Sequence, residues 1–453
     1  MNNFSLFYDK ILNFGTEEAI VDNGKVYTYE DIHNKVLFYD NFIKEKKVKK
    51  NEVVSIYSKM SFDSICLFLS LSKNGQIIVP ISEISKNKKE EFQNISFSDY
   101  EIKIKNQEID FKNLDSKKDK HDHYNTIFSR NSSGLVVFSS GSTGKNKAAV
   151  HDLNFIFEKF KKDRHKKRII SFLLFDHLGG INTFLYALSN GGCLIIPEDR
   201  TPESVFKNIQ NFKAELLPTS PSFINLLLLS NKQKNYDLSS LKMVSYGTEI
   251  MHEHTLLQFR RFFPKVKLLQ TYGLTEIGVL RSKSLSSDSL WVKLGGEEFQ
   301  TRVVDNKLQI KGNSTMLGYL NHKNPFTEDG WLITNDNVEV NGDYYKILGR
   351  DSDIINIGGQ KVYPTEVEEI LLSIDNIIDA SVYGEKNMIL GEIVCANVVL
   401  KEDKKPSEIK KDIRSACLQK IEKYKIPVKI KIVEKIQNSR FKRTRREIDE
   451  KTN

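Results

Sequence analysis

Cysteine is scarce and scattered in this chain. Cys66, Cys193, Cys395 and Cys417 lie far apart in 453 residues with no CxxC pair, which argues against a disulfide framework and a zinc site and fits a reducing, cytoplasmic setting. Long apolar runs are missing as well. The best of them, around Ile65 to Leu71 and Phe223 to Leu229, are too short to cross a bilayer, so no transmembrane segment is expected. The opening MNNFSLFYDKILNFG has neither the basic start nor the apolar stretch of a secretory leader, and a soluble protein is expected. Charge is not strongly one-sided: 68 Lys+Arg against 59 Asp+Glu give +9, enough to favour anionic partners such as nucleotides or an acidic carrier protein without demanding nucleic acid. The basic runs at 44–50 and 161–168 are separated by acidic stretches and read as solvated faces. A third run spans 440–446.

What is present is ample material for cores. Hydrophobic residues make up 39% and charged residues 28%, a globular composition, and the length calls for at least two domains of unequal size. From Glu52 to about Tyr272, short apolar runs (EVVSIYS, QIIVPIS, GLVVFSS, RIISFLL, CLIIP, AELLP, KMVSYG, VKLLQTY) alternate with helical patterns such as Leu153 to Lys162 and Ser222 to Leu229. Strands without polar alternation are covered on both faces. The fold class is therefore α/β with mainly parallel sheets and helices. Ser85 to Asn131 is polar and weakly periodic; it reads as a surface excursion with short edge strands, and no chemistry is expected there. After Trp291, TRVVDNKLQIKG and VEVNGDYYKILG read as hairpins of a small β subdomain, turning at Asp305-Asn306 and Asn341-Gly342,. A boundary follows Gly349 to Asp353. Beyond it, helices from Pro364 and Pro406 and three strands suggest a small, mobile α+β C-terminal domain,.

The most informative segment is VVFSSGSTGKNKAAV, Val136 to Val150, an apolar strand leading into small hydroxyl residues, glycines and two lysines, with a helix expected after them. Glycines admit phosphate close to the backbone, and amides, hydroxyls and lysine can cradle polyphosphate. ATP is the natural ligand. Ser139 and Asn146 stand where a Walker A loop needs glycine and a hydroxyl residue, so this is another kind of phosphate loop.

SSGSTGKNK resembles the phosphate loop of the adenylate-forming superfamily, which includes acyl-CoA and aryl-CoA synthetases, adenylation domains of peptide synthetases and beetle luciferases. The resemblance covers nearly the whole chain, through YTYEDI (Tyr27 to Ile32), NGQIIVPIS (Asn74 to Ser82), YGTEI (Tyr246 to Ile250), YGLTE (Tyr272 to Glu276), LQIKGNSTMLGYL (Leu308 to Leu320), WLITNDNVEV and GRDSDIINIGGQKVYPTEVEEIL (Gly349 to Leu371). It implies an N-terminal ATP- and acyl-binding domain at 1–350, a hinge at 350–353 and a C-terminal lid at 353–453. It implies ATP contacts from Ser139, Ser140, Gly141, Ser142, Thr143, Gly144 and Lys147, from Gly247, Thr248 and Glu249, and from Tyr272 and Gly273 beside adenine. Thr275 would contact phosphate and Glu276 would help to hold Mg²⁺. Asp336 would bind the ribose hydroxyls, with Arg350 reaching the same sugar. Ser352 takes the hinge position, and Gly358 and Gly359 would line a tunnel for the thiol of CoA or phosphopantetheine.

Several positions depart from the family pattern. Asn146 and Ala148 replace a proline and a glycine, and Asn335 replaces the glycine of the usual TGD. In KIQNSRFKRTRR, Lys442 keeps the Lys-x-x-Arg spacing of the catalytic lysine but follows Phe441 where glycine is expected, and Arg443 is the rival. SFLLFDHLGG resembles the acyl-pocket segment, with His177 and Gly180 as in acyl- and aryl-CoA synthetases, while Asp176 is also similar to the aspartate that meets the amino group in peptide-synthetase domains. Three functions stand open: a ligase joining a small carboxylic acid to CoA or an acyl carrier protein, an amino-acid adenylating enzyme, and an inactive relative that binds nucleic acid or anionic surfaces.

Overall fold

The computed structural model describes residues 2–114, 119–140, 145–296, 298–436, 440–443 and 445. The large part is two seven-stranded sheets with helices packed between and around them. One sheet runs Lys267–Gln270, Met243–Tyr246, Leu216–Thr219, Arg168–Ile170, Cys193–Ile196, Glu18–Asp22, Lys25–Thr28, all parallel but for the last pair. In the other, Gly134–Ser140, Ile77–Ile81, Val53–Tyr57 and Tyr100–Lys105 are parallel, with antiparallel strands at both flanks. The helix Phe62–Asn74 lies in the core joining the sheets, and eleven consecutive residues of it, Phe62 to Ser72, are buried. A helix apolar all round belongs in such a place. Ser61 caps its start through Ser64 N, and Gly75, at φ +78°, ends it.

All eight apolar runs form strands, although RIISFLL keeps only Arg168–Ile170 before turning toward Asp176. One expectation fails. No helix follows the phosphate loop directly; the chain returns as the strand Asn146–Asp152, antiparallel to Gly134–Ser140 with Ser139 opposite Lys147. Ala148, Ala149 and Val150 are fully buried there, and the sheet satisfies their backbone as a solvated helix would not. The helix begins only at Leu153, capped by Asp152. Ser140 and Asn146, the strand ends either side of the loop, are thus fixed by one ladder.

A six-stranded antiparallel sheet, running Arg281–Ser284, Trp291–Gly295, Tyr344–Arg350, Leu332–Asn341, Lys307–Gly312, Phe299–Val304, makes the β subdomain. Asp305 and Asn306 both have positive φ, as a tight hairpin turn requires,. Beyond residue 354 a five-stranded sheet packs against Pro364–Leu372 and Pro406–Leu418 over its own core of Val367, Leu371, Val382, Val398 and Ile413. Among the described residues no helix is long and apolar enough to cross a membrane.

Candidate active site

A cleft of about 1020 Å³ opens where the first sheet, the phosphate hairpin, the β subdomain and the chain end meet. Its walls come from strand ends, because parallel strands leave their carboxyl ends facing a common crevice. After Met243–Tyr246 the chain turns at Gly247 and Thr248, both on the cleft. A Cβ on Gly247 would sit 2.7 Å from Thr271 Oγ1 and 2.8 Å from the Thr271 carbonyl, so only glycine fits. Thr248 has φ +71°, an expensive conformation for a β-branched residue and a mark of strain held at a site.

After Lys267–Gln270 comes the YGLTE loop. Gly273, Thr275 and Glu276 face the cleft, and His151 Nε2 lies 2.7 Å from the Thr275 carbonyl, bracing the loop from behind. Burial pushes the His151 pKa down to about 4, so the ring is neutral and donates that bond. Tyr319 donates its hydroxyl to Glu276, and Lys147 Nζ stands 5.5 Å over the Tyr319 ring. A carboxylate and two phosphate-type donors, Thr275 and Lys147, therefore share one end of the cleft with Ser139. Ser140 closes the strand beside them, and Gly141 to Gly144 lie outside the described residues.

At the other end, Asp336 and Arg350 are direct cross-strand partners, which puts both side chains on one face. Arg350 Nε donates to Asp336 Oδ1 at 3.0 Å and the Tyr272 hydroxyl donates to Oδ2. Asp336 is buried, and that burial raises its pKa while Arg350 and Tyr272 work against the rise. Tyr272 is itself buried behind Gly273. Neither Asp336, 5% exposed, nor Tyr272 lines the cleft itself; Arg350, which holds Asp336, does.

The chain end completes the site. Arg440 donates to Asp176 Oδ2 (2.8 Å) and Ser85 Oγ (2.7 Å). Phe441 sits between Phe172 and Phe223, its centroid 5.5 and 5.3 Å from theirs, with the Arg200 guanidinium 4.9 Å from its ring and Ser220 Oγ donating to its carbonyl. Its φ is +54°, the conformation for which glycine is suited. Lys442 next to it lines the cleft, where burial and the nearby Arg440 and Arg350 lower its pKa and Glu249 opposes them. Arg443 points elsewhere. It pairs with Asp379 at 2.9 Å and contacts His252 and Glu368, while Arg445 binds Glu368 at 3.0 Å and Asp353 at 3.0 Å. Of the two rivals for the lysine position, only Lys442 faces the cleft.

Several expected contacts fall differently. Asp176 does not line the cleft: it is 5% exposed, and its Oδ2 is taken by Ser82, Ser85 and Arg440. Gly180 is needed for packing, since a Cβ there would lie 2.1 Å from the Leu174 carbonyl. Glu249 accepts from Ser222 and from the Arg443 amide, so it fastens the chain end. His177 does line the cleft, capping Leu178–Ser189 through Nδ1. Burial, then Lys442, push its pKa down to about 3, with Arg440 adding to the effect, and the ring is neutral. Ser352 sits exposed at the mouth in the turn Asp351–Asp353. Gly358 and Gly359 form the exposed turn between Ile355–Ile357 and Gln360–Val362, away from the cleft lining, with open space where side chains would stand.

Sequence reasoning missed Tyr319, Arg440, Ser85 and Lys88, although all four line the cleft or bond to residues in it. The last two come from the polar excursion where no chemistry was expected. Tyr319 was legible only as part of a β motif, and Arg440 only as part of a basic run.

Comparison with known proteins matches this geometry to a family. The model described as AMP-binding enzyme matches residues 82–320, and that of the AMP-binding enzyme C-terminal domain matches 366–442. The chain belongs to the AMP-binding enzymes. A relative in Arabidopsis thaliana, 4-coumarate--CoA ligase-like 9, is 28% identical over 300 residues, 59% of this chain and 53% of its own length. The chain thus spans little more than half of that relative. A 2-succinylbenzoate--CoA ligase of Bacillus cereus is 23% identical over 457 residues, covering 93% of this chain and 92% of its own. Among solved structures, o-succinylbenzoate CoA synthetase from Bacillus subtilis, bound to its acyl-adenylate intermediate, aligns with a TM-score of 0.79 at 18% identity over 98% of this chain and 97% of that one. At that identity the likeness carries the fold alone. The fold is that of adenylate-forming, ATP-binding ligases.

Proposed function

We propose that this AMP-binding enzyme joins a small carboxylic acid to a thiol in two steps. The carboxylate oxygen attacks the α-phosphorus of ATP and the bond to pyrophosphate breaks, leaving an acyl-adenylate. The thiol of CoA or of a carrier-protein phosphopantetheine then attacks the acyl carbon, and AMP leaves with the bonding electrons. The observation that carries this reading is the delivery of Lys442 by the chain end into the same cleft as Thr275, Glu276 and Arg350.

In the first step Lys442 balances the charge that grows as the carboxylate approaches phosphate, an electrostatic and positional contribution. Lys147 and Thr275 bind the phosphates with Ser139 and the loop at 140–144. Gly247, Thr248 and Gly273 form the floor against which base and acyl group lie, and Tyr272 supports it from behind. Asp336 accepts from the ribose hydroxyls, held in place by Arg350 and Tyr272. Glu276, a hard oxygen donor beside the phosphate residues, would help to hold Mg²⁺, which would supply positive charge against the triphosphate. Arg443, Arg445 and Glu249 act as fasteners that place Lys442. For the second step the lid, residues 353–453, turns about Ser352 and brings the Gly358-Gly359 turn to the cleft, where the lack of side chains leaves a path for the pantetheine arm.

Asp176 bears on the choice of acid. An amino-acid substrate would need this carboxylate for its ammonium group, yet Arg440 already neutralises it, which favours an acid without an α-amino group. The deciding experiment is acid-dependent exchange of labelled pyrophosphate into ATP with fatty, aromatic and amino acids, followed by thioester formation with CoA and with a pantetheinylated carrier. Exchange is expected with a fatty or aromatic acid. No exchange with any acid would overturn the proposal, and exchange confined to amino acids would replace it with the carrier-loading alternative.

A further inference from the structure

Behind the apolar wall of the cleft lies a lysine without a carboxylate. Lys159, a half-buried residue, follows the helix Leu153–Glu158 and turns its ammonium inward, donating to Asn182 Oδ1 at 2.7 Å and to the Val279 carbonyl. The Phe160 ring centroid is 5.9 Å away. Among the described residues no carboxylate comes within ion-pairing distance of it, and the third N–H has no oxygen acceptor. Burial pushes its pKa down to about 8, the more distant Glu298 only partly opposing this. A buried cation is normally paired, because its desolvation is otherwise uncompensated.

The surroundings suggest where the counter-charge comes from. Lys159 borders a small recess of about 20 Å³ together with Asn182 and Ser314, room for one water or for one carboxylate oxygen in its place. The recess and the main cleft share Leu178, Gly278 and Val279 as a common wall. Gly278, at φ +76°, leaves the wall thin: its nearest neighbour, Leu178 Cδ2, would be 3.7 Å from an added Cβ. From His177 the cleft side is apolar through Leu173, Leu178 and Val279, which suits the body of an organic acid, and the charged group waits past its end.

We infer that Lys159 closes the far end of the acyl site and that the acid activated by this chain carries a second carboxylate, which Lys159, Asn182 and Ser314 receive. This rests on the acid-activating function proposed above and names the substrate class for it. One carboxylate, at the Lys442 end, becomes the acyl-adenylate; the other stays ionised and is never transferred. Asn182 bonds both to the lysine and, through its amide nitrogen, to the arriving oxygen.

The test compares pairs of acids of matched length, each dicarboxylic acid against its monocarboxylic counterpart, as kcat/KM in pyrophosphate exchange with the full chain. The dicarboxylate of at least one length is expected to lead by roughly 10- to 100-fold, the worth of one charge-assisted contact. Lys159→Met should bring that ratio to about one, while Lys159→Arg should retain most of it. Equal or better use of monocarboxylates at every length by the unmodified protein overturns the inference and leaves the function standing. So does a fall in both acids alike in Lys159→Met, which would make the ammonium a brace between Leu178–Ser189 and the Val279 backbone. If Lys159→Met does not fold, the ratio in the unmodified protein decides. No exchange with any acid would sink the proposed function and this inference together.

Discussion

The wall of the cleft and the strap that closes it are built by opposite means. The wall at Gly247, Gly273 and Thr275 is fixed by strands buried on both faces and by backbone bonds, such as the Thr271 amide to the Tyr246 carbonyl at 2.7 Å. The strap, described at 440–443 and 445, has no more than a single bridge residue, Arg443, and is held chiefly by charge: Arg440 on Asp176, Arg443 on Asp379, Arg445 on Glu368, with an aromatic anchor, Phe441. Glu369 in the lid also accepts the first amides of the helix Glu253–Phe262, from Glu253 and His254, a favourable place for a carboxylate. A wall made of backbone keeps its shape through a reaction cycle. A strap made of ion pairs can be withdrawn and replaced.

Three substitutions or titrations would break or sharpen that contrast. The largest effect is expected from Arg443→Ala, which takes the guanidinium from the buried Asp379 carboxylate; removing one member of a buried ion pair costs about 3–5 kcal/mol. Thermal unfolding should show a lower, separate transition for the lid while the wall melts as before, and a single unchanged transition would mean that the strap contributes no stability. Next comes Lys442→Ala. It removes a charge from the cleft without touching the fasteners, so adenylation should fall by about 10²–10³ with melting unchanged, and thioester formation from supplied acyl-adenylate should persist.

The smallest effect is a titration. His177 and His151 titrate at about 3 and about 4 in the folded chain, below the 6.5 or so of an unfolded histidine. Above pH 6.5 both are neutral in either state and contribute nothing to the pH dependence. As pH falls below 6.5 the unfolded chain binds protons that the folded chain does not, so stability drops by about 1.4 kcal/mol per pH unit for each histidine; the raised Asp336 pKa acts in the opposite sense. Only His177 owes part of its shift to the strap. In Lys442→Ala its pKa, followed by NMR, should rise while that of His151 stays put, and equal behaviour of the two would erase the distinction between strap and wall.

The same contrast explains what could be read without coordinates. Strands such as Met243–Tyr246 announce themselves by composition, while YGLTE, Asp336 and Arg350 were picked out by the resemblance to adenylate-forming enzymes. The strand after 141–144 was misread because KNKAAV, with its lysines and alanines, favours a helix by composition,. Asp176 was misassigned because its partner, Arg440, is 264 residues away, beyond any local pattern. The glycine departures separate in the same way. Asn335 has φ +60°, so the residue best able to replace glycine in that conformation does so at little cost. Phe441 adopts the same region at a cost of order 1–3 kcal/mol, offset by its ring contacts with Phe172 and Phe223. No sequence pattern announces that exchange, since it depends on two phenylalanines from distant segments.

One consequence of the strap lies in the aspartate beneath it. With Arg440 seated, Asp176 still has an oxygen, Oδ1, without a hydrogen-bond partner. Withdrawal of the guanidinium would leave a whole anion enclosed by protein, with the hydroxyls of Ser82 and Ser85 and the Ser82 amide as its neutral donors. The retracted pose is therefore the one that accumulates penalty, and the molecule at rest favours having the strap drawn in. If the lid swings as proposed, it would return to its starting posture on its own, as a sprung door does, with an arginine and an aspartate for the spring.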